Sequence, residues 1–100
     1  MNYTTKNISQ IICGSLCGNE NQSICHILID SRKVVAPEVS LFFAIKGERN
    51  DGHNFLWETY QKKVRNFVVS ELPPDMAQFR DGCFILVKNT MDALQQLCAY

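Results

Sequence analysis

The run Leu41-Phe42-Phe43-Ala44-Ile45 constrains this chain most, because a strand with no polar face must lie inside a sheet that is covered on both sides. Such a strand needs a neighbour on each edge and helices above and below. Residues 25–29, the run Asn66-Phe67-Val68-Val69-Ser70 and residues 83–87 read as its partners, with a shorter piece after the turn in Cys13-Gly14-Ser15-Leu16-Cys17-Gly18.

Helical patterns fall between these runs. Ile8, Ile11 and Ile12 share one face of a first helix, capped by Thr4 or Thr5 and ended by Gly14. Phe55, Leu56, Tyr60 and Val64 line a second helix, opened by His53 or Asn54, whose outer face carries Glu58, Lys62 and Lys63. Asn89 or Thr90 caps a third, with Asp92 in its first turn and Met91, Leu94, Leu97 and Cys98 on one face. The alternation predicts an α/β domain with a small mixed or mostly parallel sheet flanked by helices. The third helix runs to Tyr100 with no glycine, proline or cap, so the expectation is one domain over residues 1–100, excised from a longer protein.

Composition narrows the classes of function. One hundred residues, 46% apolar and 20% charged, describe one ordinary globular core. Ten basic and ten acidic side chains cancel, so no global field favours nucleic acid, and any anion site must be local. No signal peptide or membrane-length apolar run is visible. The odd number of cysteines (Cys13, Cys17, Cys25, Cys83 and Cys98) suits a reducing cytoplasm. A zinc site from Cys13, Cys17, Cys25 and His26 lacks a Cys-x-x-Cys pair, and buried thiols acting as small hydrophobes are the better reading.

Polar loops follow two of the strands. Asp30-Ser31-Arg32-Lys33 follows residues 27–29, and Lys46-Gly47-Glu48-Arg49-Asn50-Asp51-Gly52-His53 follows the central run. Together they offer hydroxyl, guanidinium and amide groups suited to an anionic, hydroxyl-rich ligand such as phosphate or sugar. The competing reading is a local Asp30 and Arg32 ion pair, with Ser31 capping a turn and His53 capping a helix. Gly47 and Gly52 permit close backbone approach, but a triphosphate loop, G-x-x-x-x-G-K-S/T, requires lysine where His53 stands. Lys62, Lys63 and Arg65 read as a solvated face, although a nucleic-acid or protein interaction module is the rival they would serve.

These residues resemble the N-terminal signature of the Mur ligases. The resemblance rests on Asp30-Ser31-Arg32-Lys33-Val34, on residues 41–49, on Asp51-Gly52-His53 with Phe55, on Val64-Arg65-Asn66-Phe67-Val68-Val69-Ser70, and on Val87, Asn89, Thr90, Ala93, Leu94 and Gln95. It implies the Mur ligase N-terminal fold and a domain that holds the UDP part of UDP-N-acetylmuramoyl-tripeptide in cytoplasmic peptidoglycan synthesis. It places Ile29 and Ser31 against the uridine and Glu48, Arg49 and Asn50 around the UDP group, with Arg32, Asp51 and His53 as further candidates. It assigns no catalytic residue, metal ligand, nucleic acid or membrane partner to this stretch. ATP and magnesium belong to the full-length enzyme, whose ATP-binding and C-terminal domains activate the substrate carboxylate for attack by an amine.

Within that family, residues 13–18 are more similar to the D-alanyl-D-alanine-adding branch than to the diamino-acid-adding branch, which is the alternative. Residues 65–73 are similar to the form fused to an alanine racemase. The family's usual glycine before the central strand is replaced by Val39-Ser40, which predicts a turn of different shape. The connection between residues 32 and 40 is short for a parallel crossover and by that rule favours a hairpin, whereas the resemblance implies that both loops face one ligand; the resemblance is preferred, because a nonadjacent or irregular strand arrangement escapes the rule.

Overall fold

The computed structural model describes residues 3–47 and 51–100. Its main sheet has five strands in the order β2-β7-β6-β5-β4: Ser15–Cys17 (β2), Cys83–Leu86 (β7), Asn66–Val69 (β6), Ser40–Phe43 (β5) and His26–Leu28 (β4). Strands β4 to β7 are parallel, and β2 closes the edge beside β7 in antiparallel register. A separate ribbon pairs Tyr3–Thr4 (β1) with Ser23–Ile24 (β3). Strand β5 is buried along its whole length and interior to the sheet, as its unbroken apolar run requires, while β6 is the middle strand.

Alternation along the strands sorts the core into two layers. Leu41, Phe43, Val68 and Ile85 face helices α1 (Thr5–Ile11) and α3 (Thr90–Ala99), meeting Ile8, Ile12, Ala93 and Leu97. Phe42, Phe67, Val69 and Phe84 face α2 (Leu56–Gln61) and the short 3-10 turn Met76–Phe79, meeting Leu56, Tyr60 and Phe79. The mixed sheet flanked by helices is the architecture that the alternation predicts.

The loop-length rule fails at β4 and β5, which pair in parallel, Ile27 against Leu41, as the resemblance implies. Their connection fits because it contains no α-helix. Ala36 takes a left-handed conformation, φ 50°, and a 3-10 turn at Pro37–Val39 brings the chain back. The Ser40 hydroxyl, shared between the carbonyls of Val35 and Ala36 at 2.9 Å each, holds this turn where relatives in the family are expected to have glycine.

Helix boundaries also differ in detail. Thr4 and Asn7 form a reciprocal capping box at α1, but Cys13, φ 55°, rather than Gly14, takes the left-handed position at its end. Gly14 is required for a different reason, because a Cβ there would come within 2.4 Å of Ile85 Cγ2. The second helix is preceded by a 3-10 turn, Gly52–Phe55, capped by Asp51 rather than by His53 or Asn54; Phe55 is exposed and Val64 lies beyond the helix.

Helix α3 buries Leu97 and packs a half-buried Leu94 against the core, as its predicted face requires, but Thr90 and Ala93 fill the rest of the buried stripe while Met91 and Cys98 are exposed. Asn89 caps it through the Asp92 N–H at 3.0 Å, so Asn89→Ala is expected to cost about 1 kcal/mol in urea unfolding. Of the cysteines only Cys83 is buried; burial pushes its thiol up to about 11, so buried packing does not describe Cys13, Cys17 or Cys98. Among the described residues no helix is long and apolar enough to cross a membrane.

Candidate functional site

Parallel pairing of β4 with β5 puts both polar loops at the same end of the sheet, where α/β proteins form their ligand crevices. An open cleft of about 800 Å³ lies there. Ile29, Asp30, Ser31 and Arg32 form one wall; Ile45, Gly47 and Gly52 form another; Phe55 and Glu58 come from the α2 side and Met91 and Leu94 from α3. Ile29 is 58% exposed, an apolar side chain of a kind that a planar group could cover.

The Asp30 carboxylate takes the Arg32 guanidinium in a fork, Nε to Oδ1 and Nη2 to Oδ2 at 3.0 Å each, and also accepts the Arg32 backbone N–H. The guanidinium hydrogen bond, followed by the backbone one, holds the Asp30 carboxyl down at about 2. The local ion pair is therefore formed, and it presents a largely exposed arginine at the cleft wall. Ser31 is buried: its Oγ donates to Glu58 Oε2 at 2.7 Å, and its carbonyl accepts Lys62 Nζ at 2.7 Å.

Glu58 and Lys62 thus clamp the first loop from the exposed outer face of α2 on which the sequence placed them. Their spacing of four residues, one helical turn, was the available signal, but helical periodicity alone does not say what the helix packs beside. Lys63 does lie exposed, whereas Arg65 donates Nη1 to the Tyr60 carbonyl at 2.7 Å and lies over the Tyr60 ring at 3.9 Å. The basic stretch is largely committed within the chain.

His53 stands behind the cleft and braces its second loop. Its Nδ1 meets Asp51 Oδ1 at 2.5 Å and its Nε2 accepts the Ser70 backbone N–H at 3.0 Å, an arrangement that puts the neutral ring's proton on Nδ1. Both ring nitrogens are occupied by protein groups, so the histidine positions the loop rather than simply capping a helix. The backbones of Lys46 and Asp51 pair in an isolated antiparallel β-bridge, and Gly52 N–H donates to the Ile45 carbonyl at 2.8 Å. The cleft brings together Ile29, Ser31 and Arg32; Glu48, Arg49 and Asn50 lie outside the described residues.

Burial pushes the Asp51 carboxyl up, but hydrogen bonds from the His53 backbone N–H and ring, with smaller charge effects, outweigh it and hold the group below its usual range. A depressed folded value contributes stability above the unfolded value of about 3.9 and loses it as pH falls through the folded value. Asp51→Asn is accordingly expected to be less stable than the parent at neutral pH, with the difference closing below about pH 4 in urea unfolding followed against pH.

A three-layer α/β unit with a polar cleft at the C-terminal ends of its parallel strands is the architecture of the Mur ligase N-terminal domain, and the chain is a Mur ligase homologue. It is 33% identical over 96 residues to UDP-N-acetylmuramoyl-tripeptide--D-alanyl-D-alanine ligase of Bacillus subtilis strain 168, covering 94% of this chain and 20% of that protein. It is 33% identical over 85 residues to UDP-N-acetylmuramoyl-L-alanyl-D-glutamate--2,6-diaminopimelate ligase of Cytophaga hutchinsonii, covering 85% and 17%. A crystal structure of MurF from Acinetobacter baumannii superposes on the whole chain with a TM-score of 0.85 at 28% identity, using 21% of its own length. No protein-family profile matches the chain. The chain spans about a fifth of the length of the first of these relatives.

Proposed function

We propose that this chain holds the UDP end of UDP-N-acetylmuramoyl-tripeptide for a cytoplasmic, ATP-dependent ligase that adds D-alanyl-D-alanine in peptidoglycan precursor synthesis. The observation that carries this reading is the parallel β4 and β5 pair, which aims Ser31 and the Gly47 and Gly52 backbone into one cleft. The names of the relatives supply the substrate class. The likeness to MurF structures and the motif at residues 13–18 support the D-alanyl-D-alanine branch, while relatives of equal identity in the diaminopimelate-adding branch keep that branch as the alternative.

Ile29 supports the uracil face, and Ser31 offers a hydrogen bond at its edge. Arg32, paired with Asp30, presents an exposed guanidinium at the cleft, and Glu48, Arg49 and Asn50, which follow Gly47 in sequence, are assigned to the UDP group. We assign ATP and magnesium to other parts of the ligase, because the sequence has no G-x-x-x-x-G-K-S/T loop. Other domains of the same protein would hold them. The contribution here is orientation, which raises the effective concentration of the reacting end without supplying a nucleophile.

Calorimetric titration of the chain with UDP, uridine and inorganic phosphate tests this. UDP should bind most tightly and uridine measurably, and equal or absent binding of all three would refute the assignment. The isolated chain is also expected to show no ATP hydrolysis and no ligation, and turnover by the pure chain would contradict the division of labour.

A further inference from the structure

Glu58 does more than tie down a loop. A carboxylate has no proton to give, so the 2.7 Å contact is the Ser31 hydroxyl donating to Glu58 Oε2. The bond is charge-assisted and therefore strong for its kind. Lys62, one turn further along α2, holds the carbonyl of the same serine at 2.7 Å, so backbone and side chain are restrained together. The single hydroxyl proton is spent on Glu58, and what Ser31 can offer at the cleft wall is its lone pairs.

We propose that Glu58 sets the base preference of the cleft by fixing Ser31 as a hydrogen-bond acceptor, a positioning role that rests on the UDP-binding reading above. An acceptor at that wall suits the N3–H of uracil. Cytosine presents a lone pair at N3, and two acceptors facing each other leave both unpaired, which is the costly arrangement. A serine with a free proton could serve either base, so the discrimination lies in the partner of the hydroxyl.

The test is the ratio of UDP to CDP affinities, measured by titration on the full chain and on two variants. The parent chain should prefer UDP by about tenfold or more, the effect of one mismatched hydrogen bond. Glu58→Gln keeps the shape but can donate an amide N–H to Ser31 Oγ, freeing the hydroxyl proton, so the preference should fall to within roughly threefold. Ser31→Ala should reduce UDP affinity more than CDP affinity. If Glu58 only held the loop, both affinities would fall in parallel in Glu58→Gln and the ratio would stay; that result overturns the proposal. So does equal binding of UDP and CDP by the parent chain, a measurement that needs no variant. Binding of neither nucleotide would overturn the UDP reading itself and this inference with it.

Discussion

Phe67→Ala is expected to destabilise the domain by about 3–5 kcal/mol, the usual cost of truncating a fully buried phenylalanine. Phe67 is inaccessible to solvent, stacks on Phe84 with ring centroids 4.9 Å apart, and meets Phe42 and Phe79 edge to face. It stands in the middle strand, packed among other buried rings, so the void is poorly filled by relaxation. A domain of this size commonly has only about 5–15 kcal/mol in total, so the variant should be partly unfolded near physiological temperature. Urea unfolding should show a lower midpoint with little change in slope. Phe55→Ala is the contrast: that ring is 40% exposed at the cleft, and its loss should change stability by less than about 0.5 kcal/mol.

Gly52→Ala should damage both stability and binding. A Cβ at this position would lie 2.8 Å from Ala44 Cα and 2.8 Å from Ile45 N, and backbone atoms cannot rotate away as a side-chain tip can. The exit of β5 must therefore shift, at a cost of about 1–3 kcal/mol. Because that exit is also the second wall of the cleft, UDP affinity should drop by roughly tenfold, equivalent to ~1.4 kcal/mol. Ser70→Ala makes a useful control: the Ser70 backbone N–H, which carries the main bond to His53, survives the change. Its binding should stay close to that of the parent.

Strand positions and the layering of the sheet were legible in residues 41–45, 67–69 and 83–86, because a strand buried on both faces has to be apolar along most of its length, with Ser40 and Asn66, each buried at the start of its strand, as the exceptions. The direction of β4 against β5 was not. The loop-length rule assumes a regular crossover helix, and the left-handed Ala36 with the turn at Pro37–Val39 dispenses with one. The stripe on α3 was only half legible, at Leu94 and Leu97, since Thr90 and Ala93 are weakly hydrophobic yet face the sheet while Met91 does not.

Within the candidate site, the Ser31 loop could be placed from its sequence because it directly follows a strand, and the cleft does gather Ile29, Ser31 and Arg32. The clamp on Ser31 could not. Glu58 and Lys62 look like a surface pair on any amphipathic helix, and both are indeed exposed; only the packing of α2 beside β4's exit brings their polar tips within reach of the loop. His53 showed the same limit: residue type suggested ligand contact or capping, whereas Asp51 and the Ser70 N–H consume both ring nitrogens.

The most direct test of UDP recognition is residue-by-residue: amide resonances of the isotopically labelled chain followed during titration with UDP. The account predicts saturable shifts at Ser31, Gly47, Gly52 and Glu58, the residues that bring both loops and α2 to the cleft. Shifts confined to the separate surface around Tyr3, Asn7 and Gln10, or to Lys63 and Arg65, would contradict it.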